Sequence, residues 1–188
     1  MKVFSSTCTF DYSWAEVSTA NWRKYCPWND KSTHVLSVDT LSRTVDPTTN
    51  ILRTERLITC QQTAPAWVLS LLGGHPTSHV YETSYVDPAA KRVTMCSTNL
   101  TGSNILSCRE TVVYEPLPGQ ERTLFRQNAE ITALCGGWQK IRTKIEEAGV
   151  ERFGQNAQRG REGFEHVLEM SRRVFGEERE GQRKKLRA

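Results

Sequence analysis

Three short segments constrain this 188-residue chain more than anything else in it: Asp46-Pro47-Thr48-Thr49-Asn50, Asp87-Pro88-Ala89-Ala90-Lys91 and Pro116-Leu117-Pro118-Gly119-Gln120. Each is built from residues that preset or tolerate turn geometry, and each sits between two runs rich in β-branched and aromatic side chains. "THVLSVDTLSRTV" and "ILRTERLITC" flank the first, "SHVYETSYV" and "RVTMCSTNL" the second, "ILSCRETVVYE" and "RTLFRQNAEITAL" the third. Loops this short join strands that lie antiparallel and side by side. With "KVFSSTCTF" at the start, the chain offers seven strands linked mostly as hairpins, which predicts an antiparallel meander.

Two helical segments break the pattern. Ser13-x-x-Glu16 is a capping box, so a helix is expected from Ser13 to about Tyr25, with Trp14, Val17 and Tyr25 turned to the core. From Trp138 the apolar period becomes helical through Ile141, Ile145, Phe153, Ala157, Phe164, Val167 and Leu168. That helix is expected to reach about Phe175, some 55 Å at 1.5 Å per residue. From Gly176, "GEEREGQRKKLRA" has no apolar face and reads as a charged, disordered tail. The expectation is an α+β domain over residues 1–175 and a tail over 176–188.

The formal charge of +4 is uneven. Residues 1–137 hold 12 basic and 12 acidic side chains, and residues 138–188 hold 13 and 9. This is too mild for nucleic acid, which calls for a concentrated basic face, but it suits an anionic membrane surface or an acidic ligand. The six cysteines (8, 26, 60, 96, 108 and 135) include no C-x-x-C pair and no neighbouring histidine cluster, so zinc and thioredoxin-like readings fail. No cofactor is called for. The N-terminal "MKVFSSTCTF" has neither the apolar core of a secretory signal nor the arginine-rich amphipathic pattern of a transit peptide.

Two features ask for more than a core. In "ILRTERLITC", one face reads Leu52, Thr54, Arg56, Ile58, Cys60, which puts a cation in a largely apolar row. Arg56 either faces solvent or pairs with a carboxylate, or it waits at the bottom of a greasy pocket for an anionic head group. The second feature is "CQQTAPAWVLSLLGGHP", residues 60–76. Its apolar run is far too short to span a bilayer, which takes about 20 residues. Pro65 starts a helical turn, Trp67, Leu69, Leu71 and Leu72 offer apolar surface, and Gly73-Gly74 lets the segment swing. An ordinary core helix is the competing reading.

"FDYSWAEVSTANWRKY", "STHVLSVDTLSR", "LRTERLITCQQTAPAWV", "LGGHPTSHVYETSYVD", "STNLTG", "ETVVYEP" and "RFGQNAQRGREGF" run in order across roughly residues 1–170. Together they resemble the PRELI-like lipid-transfer proteins of the mitochondrial intermembrane space, and within them the slowmo-type branch. The resemblance implies a curved seven-stranded antiparallel sheet wrapped on a long C-terminal helix, with an early helix and a short lid helix, enclosing a lipid pocket. It implies a carrier of one anionic phospholipid at a time between outer and inner membranes. A small helical partner with twin Cys-x9-Cys motifs is implied too.

By the same resemblance, residues 60–76 correspond to the lid, and head-group cations correspond to Lys24, His34, Arg56, Arg152 and Arg159. Phosphatidic-acid carriers of the family place lysines at positions matching Cys60 and Thr63, which this chain lacks. Fewer cations suit a head group with its own ammonium, so phosphatidylserine is favoured. A phosphatidic acid carrier and a non-transferring interaction module are the alternatives. Ala148-Gly149 stands where relatives commonly have a tryptophan, and the Cys26-Pro27-Trp28 loop is longer than the family's usual connection. Read as an enzyme, Cys60 or Cys108 with His34 would form a nucleophile–base pair, but no local nucleophile motif surrounds either cysteine. No catalytic residue is assigned.

A lid has a kinetic signature. Gly73→Pro with Gly74→Pro should slow lipid transfer far more than it weakens equilibrium binding, with a near-native thermal melt. A collapsed melt would instead mark 60–76 as a core helix.

Overall fold

In the computed structural model, which describes residues 1–61, 76–134 and 139–185 and side chains as far as Val174, the three turn segments close three hairpins. The strands are β1 (Lys2–Phe10), β2 (Val35–Val45), β3 (Leu52–Gln61), β4 (Thr77–Asp87), β5 (Arg92–Asn99), β6 (Leu106–Pro116) and β7 (Thr123–Ala133). The two Asp-Pro turns share one mechanism. Asp46 accepts from the N–H groups of Thr48 and Thr49 at 2.8 Å each, and Asn50 closes the turn with φ 57°. Asp87 accepts from Ala90 N–H at 2.9 Å, and Lys91 closes with φ 49°. An aspartate that bonds the backbone ahead of it stabilises a tight turn in this way.

All strands join one antiparallel sheet in the order β1-β7-β6-β5-β4-β3-β2. Alternation then sets the inner face. Along β7, Phe125, Gln127, Ala129, Ile131 and Ala133 are buried, while Arg126, Asn128 and Glu130 are exposed.

The first helix, α1 (Trp14–Ala20), starts at the expected capping box: Glu16 N–H donates to Ser13 Oγ at 3.4 Å, and Ser13 N–H donates to Glu16 Oε2 at 2.8 Å. It ends earlier than Tyr25. The chain tightens into a 3₁₀ turn at Asn21–Arg23, and this turn brings the Trp22 ring under the guanidinium groups of Arg43 and Arg56, at 4.8 and 5.4 Å. The long helix, α2 (Gln139–Lys185), runs ten residues past the expected end at Phe175. "EEREGQRKK" is rich in strong helix formers, which carry a backbone helix without an apolar face. Ile145, Ala157, Phe164, Val167 and Leu168 are buried as expected, whereas Ile141 is exposed. The lid residues Pro65, Trp67, Leu69, Leu71, Leu72, Gly73 and Gly74, together with Trp138, lie outside the described residues.

α2 is fastened at both ends of its docked length. Near its start, Glu146 accepts from the Met1 α-ammonium at 2.7 Å and from Ala133 N–H at 3.0 Å. Farther along, Arg172 donates to Glu16 at 2.9 Å and to the Asp11 carbonyl at 3.1 Å, and lies over the Tyr12 ring. The Arg172 bond, with Ser13 adding to it against the effect of burial, holds the Glu16 carboxyl down at about 2. One capping-box glutamate thus starts α1 and anchors α2.

Gly149 gives Ala148-Gly149 a packing role: a Cβ there would meet Ile131 Cγ2 at 2.9 Å. Helix and sheet meet closely at this point, and a tryptophan does not fit. At Gly160 a Cβ would meet nothing within 4 Å among the described residues. Gly160→Ala should therefore raise stability by about 0.5–1 kcal/mol through helix propensity. Gly149→Leu should lower it by about 1–3 kcal/mol through overpacking. Chemical denaturation checks both, and equal effects at the two sites would contradict the packing.

Candidate functional site

α2 leaves a cavity of about 340 Å³ against the inner face of the sheet. That volume falls within the range of small-ligand sites. One end is aromatic: Phe10, Tyr114, Phe125 and Phe164 line it, with the Phe164 ring 5.5 Å from Phe10 and 5.6 Å from Tyr114.

A polar row crosses the inner face next to this aromatic end. Strand register puts Arg56 opposite Glu82, Glu82 opposite Ser97, and Ser97 opposite Glu110. Arg56 donates to Glu82 Oε1 from Nε at 2.9 Å and from Nη2 at 2.5 Å. Ser97 Oγ donates to Glu110 Oε2 at 2.8 Å, and Gln127 Nε2, from β7, donates to Glu110 Oε1 at 2.6 Å. Cross-strand pairs of this kind are the unit of sheet stabilisation, and here they also let a sheet carry charge on its inner side.

Of the five expected cations, Lys24, His34, Arg152 and Arg159 line the cavity. Arg56 is not among the lining residues. It is buried, paired with Glu82 and stacked near Trp22 and Tyr25, so of the two readings the carboxylate partner is the one present. Arg56→Ala leaves Glu82 buried without its partner, a loss of about 3–5 kcal/mol in folding.

The other four reach the cavity from three places. Lys24 follows the 3₁₀ turn after α1, and its ammonium lies over the Tyr25 ring at 5.2 Å. Burial opposes the Lys24 charge, yet the oxygens of Tyr25, Tyr114, Glu110 and Glu82 hold it above the ordinary lysine value. His34 stands at the entrance to β2, fixed by its carbonyl, which accepts from Gln61 N–H at 2.8 Å. Arg152 and Arg159 are seven residues apart on α2, two turns along the same face.

The long loop after Tyr25 has a structural account. Asn29 Nδ2 donates to the Lys24 carbonyl at 2.7 Å, and Ser32 Oγ donates to the same carbonyl at 3.3 Å. The Asn29 amide also reaches Gly163 O on α2 at 3.4 Å, where a Cβ would meet Lys31 at 2.9 Å. The loop thus braces Lys24 against the helix that faces it.

Burial raises the thiols of Cys60 and Cys108, the latter to about 12 with Glu110 adding to the effect. Both line the cavity as neutral thiols, the opposite of an activated nucleophile. His34 is lowered by burial first, then by the charges of Lys24, Arg159 and Arg152. Sequence reasoning missed Glu82, Glu110 and Gln127. The signal was the one used for Arg56: each is a polar residue at an inward-facing position of an alternating strand.

Residues 15–174 match the PRELI-like family. The chain is 45% identical over 172 residues to "Protein UPS2, mitochondrial" of Saccharomyces cerevisiae, covering 90% of this chain and 74% of that protein. It is 37% identical over 161 residues to "Protein slowmo homolog" of Dictyostelium discoideum, covering 85% and 68%. Among solved structures, a START superfamily protein from Mycobacterium smegmatis shares the fold with a TM-score of 0.53 at 14% identity, covering 89% of this chain and 97% of that one.

The depressed His34 makes a pH prediction. Below about pH 6.5 the unfolded chain takes up a proton that folded His34 resists, so the ligand-free fold loses stability as pH falls through that region. His34→Gln should make the fall of melting temperature with acidification shallower. An unchanged slope would remove His34 from the cationic cluster.

Proposed function

Because the chain belongs to the PRELI-like family, we propose that it extracts a single anionic phospholipid, shields it, and carries it between the outer and inner membranes across the mitochondrial intermembrane space. Phosphatidylserine is the favoured cargo. The observation that carries this reading is the cavity itself, aromatic at one end and approached by Lys24, His34, Arg152 and Arg159. Acyl chains need apolar walls, at about 0.8 kcal/mol per buried CH₂. A phosphate taken out of water needs charged donors, because an unpaired buried charge is very costly.

Neutral, half-buried thiols at Cys60 and Cys108 support a carrier over an enzyme. The polar row adds support for a head group with both signs of charge, since the cavity wall includes carboxylates as well as cations. Cys60 and Gln61 close β3, and the rest of segment 60–76 acts as the lid that dips into anionic membranes during loading and release. A small helical protein with twin Cys-x9-Cys motifs is the working partner in this reading.

The test is a transfer assay between liposomes with pure head groups, run with and without such a partner. Wild type should move phosphatidylserine and return it chemically unchanged. Lys24→Ala and Arg159→Ala should each cut transfer roughly 10- to 100-fold, the worth of one hydrogen bond to a charged group. Preference for phosphatidic acid would overturn the cargo, and altered lipid in the products would overturn the carrier reading.

A further inference from the structure

Two carboxylates belong to the cavity wall, and they differ in what surrounds them. Glu82 is neutralised in place by Arg56, which gives it two hydrogen bonds from one guanidinium. Glu110 is held instead by two neutral donors, the Ser97 hydroxyl on one oxygen and the Gln127 amide on the other. These bonds aim the carboxylate without cancelling its charge. An ionised carboxylate has about four acceptor positions, so each oxygen keeps room for a further donor.

The placement of Glu110 is equally specific. It lies on β6 at the inward-facing position before Val112 and Tyr114, between the thiol of Cys108 and the aromatic end. The cations reach the same cavity from the other elements: Lys24 and His34 from the chain between α1 and β2, and Arg152, Arg159 and Arg161 from α2, with Arg161 also donating to Ser6 at 3.0 Å. Lys24 is the cation that Glu110 helps to hold charged, so a head group with phosphate alone would compete with Glu110 for it and face Glu110 as a like charge, which costs affinity. A head group that also carries a primary ammonium satisfies both.

We infer that Glu110 is the acceptor for a primary ammonium on the cargo's head group and, with Ser97 and Gln127 as its positioning residues, selects amine-bearing anionic lipids. The assignment rests on the lipid-carrier reading and deepens it: the cationic cluster takes the phosphate, and the polar row reads the amine.

The experiment compares uptake of three lipids by the full chain from vesicles that hold one test lipid in neutral phosphatidylcholine. The test lipids are phosphatidylserine, phosphatidylserine acetylated on its amine, and phosphatidylglycerol. Acetylation removes the ammonium while making the lipid more anionic, so a site that reads only negative charge would favour the acetylated form. Wild type should instead prefer phosphatidylserine by about tenfold over both others, the loss of one charge-assisted hydrogen bond. Glu110→Gln, which keeps an acceptor for Gln127 and a partner for Ser97, should remove that preference.

Equal uptake of phosphatidylserine and its acetylated form by wild type would overturn the assignment, and that arm needs no folded variant. So would Glu110→Gln lowering all three lipids alike. Failure of wild type to take up any of the three would overturn the carrier reading, and this assignment with it.

Discussion

The helix α2 packs tightly on the sheet at two places and stays on the β1 edge between them, with Phe153 and Gly154 on Phe4 and Arg161 donating to Ser6. At one, Gly149 brings the helix backbone against Ile131 and Leu106. At the other, Phe164, Val167 and Leu168 sink into the aromatic cluster of Phe10, Tyr114 and Phe125. The ion pairs Met1–Glu146 and Arg172–Glu16 fasten the helix outside these contacts. A rigid rod held along the β1 edge cannot also follow the middle strands of the sheet, and the cavity lies between it and the inner faces of β3 to β6. The packing that stabilises the domain is therefore also what keeps the cavity open, and glycine at 160 leaves its wall thin.

An open space inside a small domain would ordinarily be lined with apolar groups. Here the middle of the sheet carries Arg56, Glu82, Ser97, Glu110 and Gln127 on its inner side, and register makes that possible. Each charged member faces a partner on the next strand, so the row offsets much of its own desolvation. Such rows add little net stability compared with apolar packing. Their value lies in specifying what can share the space with them. The loop from Cys26 to Ser32 belongs to the same arrangement, since Asn29 and Ser32 hold the Lys24 carbonyl and steady the cation opposite the carboxylates.

Most of the fold was legible because its signals are local. Turns built on Asp46 and Asp87, alternation along β7, and the capping box at Ser13 each depend on a few neighbouring residues. The end of α1 was not, because the pull of Arg43 and Arg56 on Trp22 comes from strands far along the chain. The end of α2 was missed because an apolar stripe reports packing, while helix propensity alone extends the backbone to Lys185. At the site, Arg56 stood out as a charge on an apolar face, but its partner Glu82 is 26 residues away and visible only through the β3–β4 register. Glu110 and Gln127 carried the same signal and needed the whole sheet before they formed one row. The close approach at Gly149 lies in the meeting of helix and sheet, which no stretch of sequence contains.

The proposed seat of the lipid is the space under α2. Gly160 lines that space, and a Cβ there would meet nothing within 4 Å among the described residues, so Gly160→Trp fills the cavity from the helix side. Native mass spectrometry after incubation with phosphatidylserine vesicles then reads occupancy directly. Wild type is expected to carry one phospholipid per chain, and the Gly160→Trp protein to be empty while melting close to wild type. A folded Gly160→Trp protein that carries its phospholipid as wild type does would contradict the account.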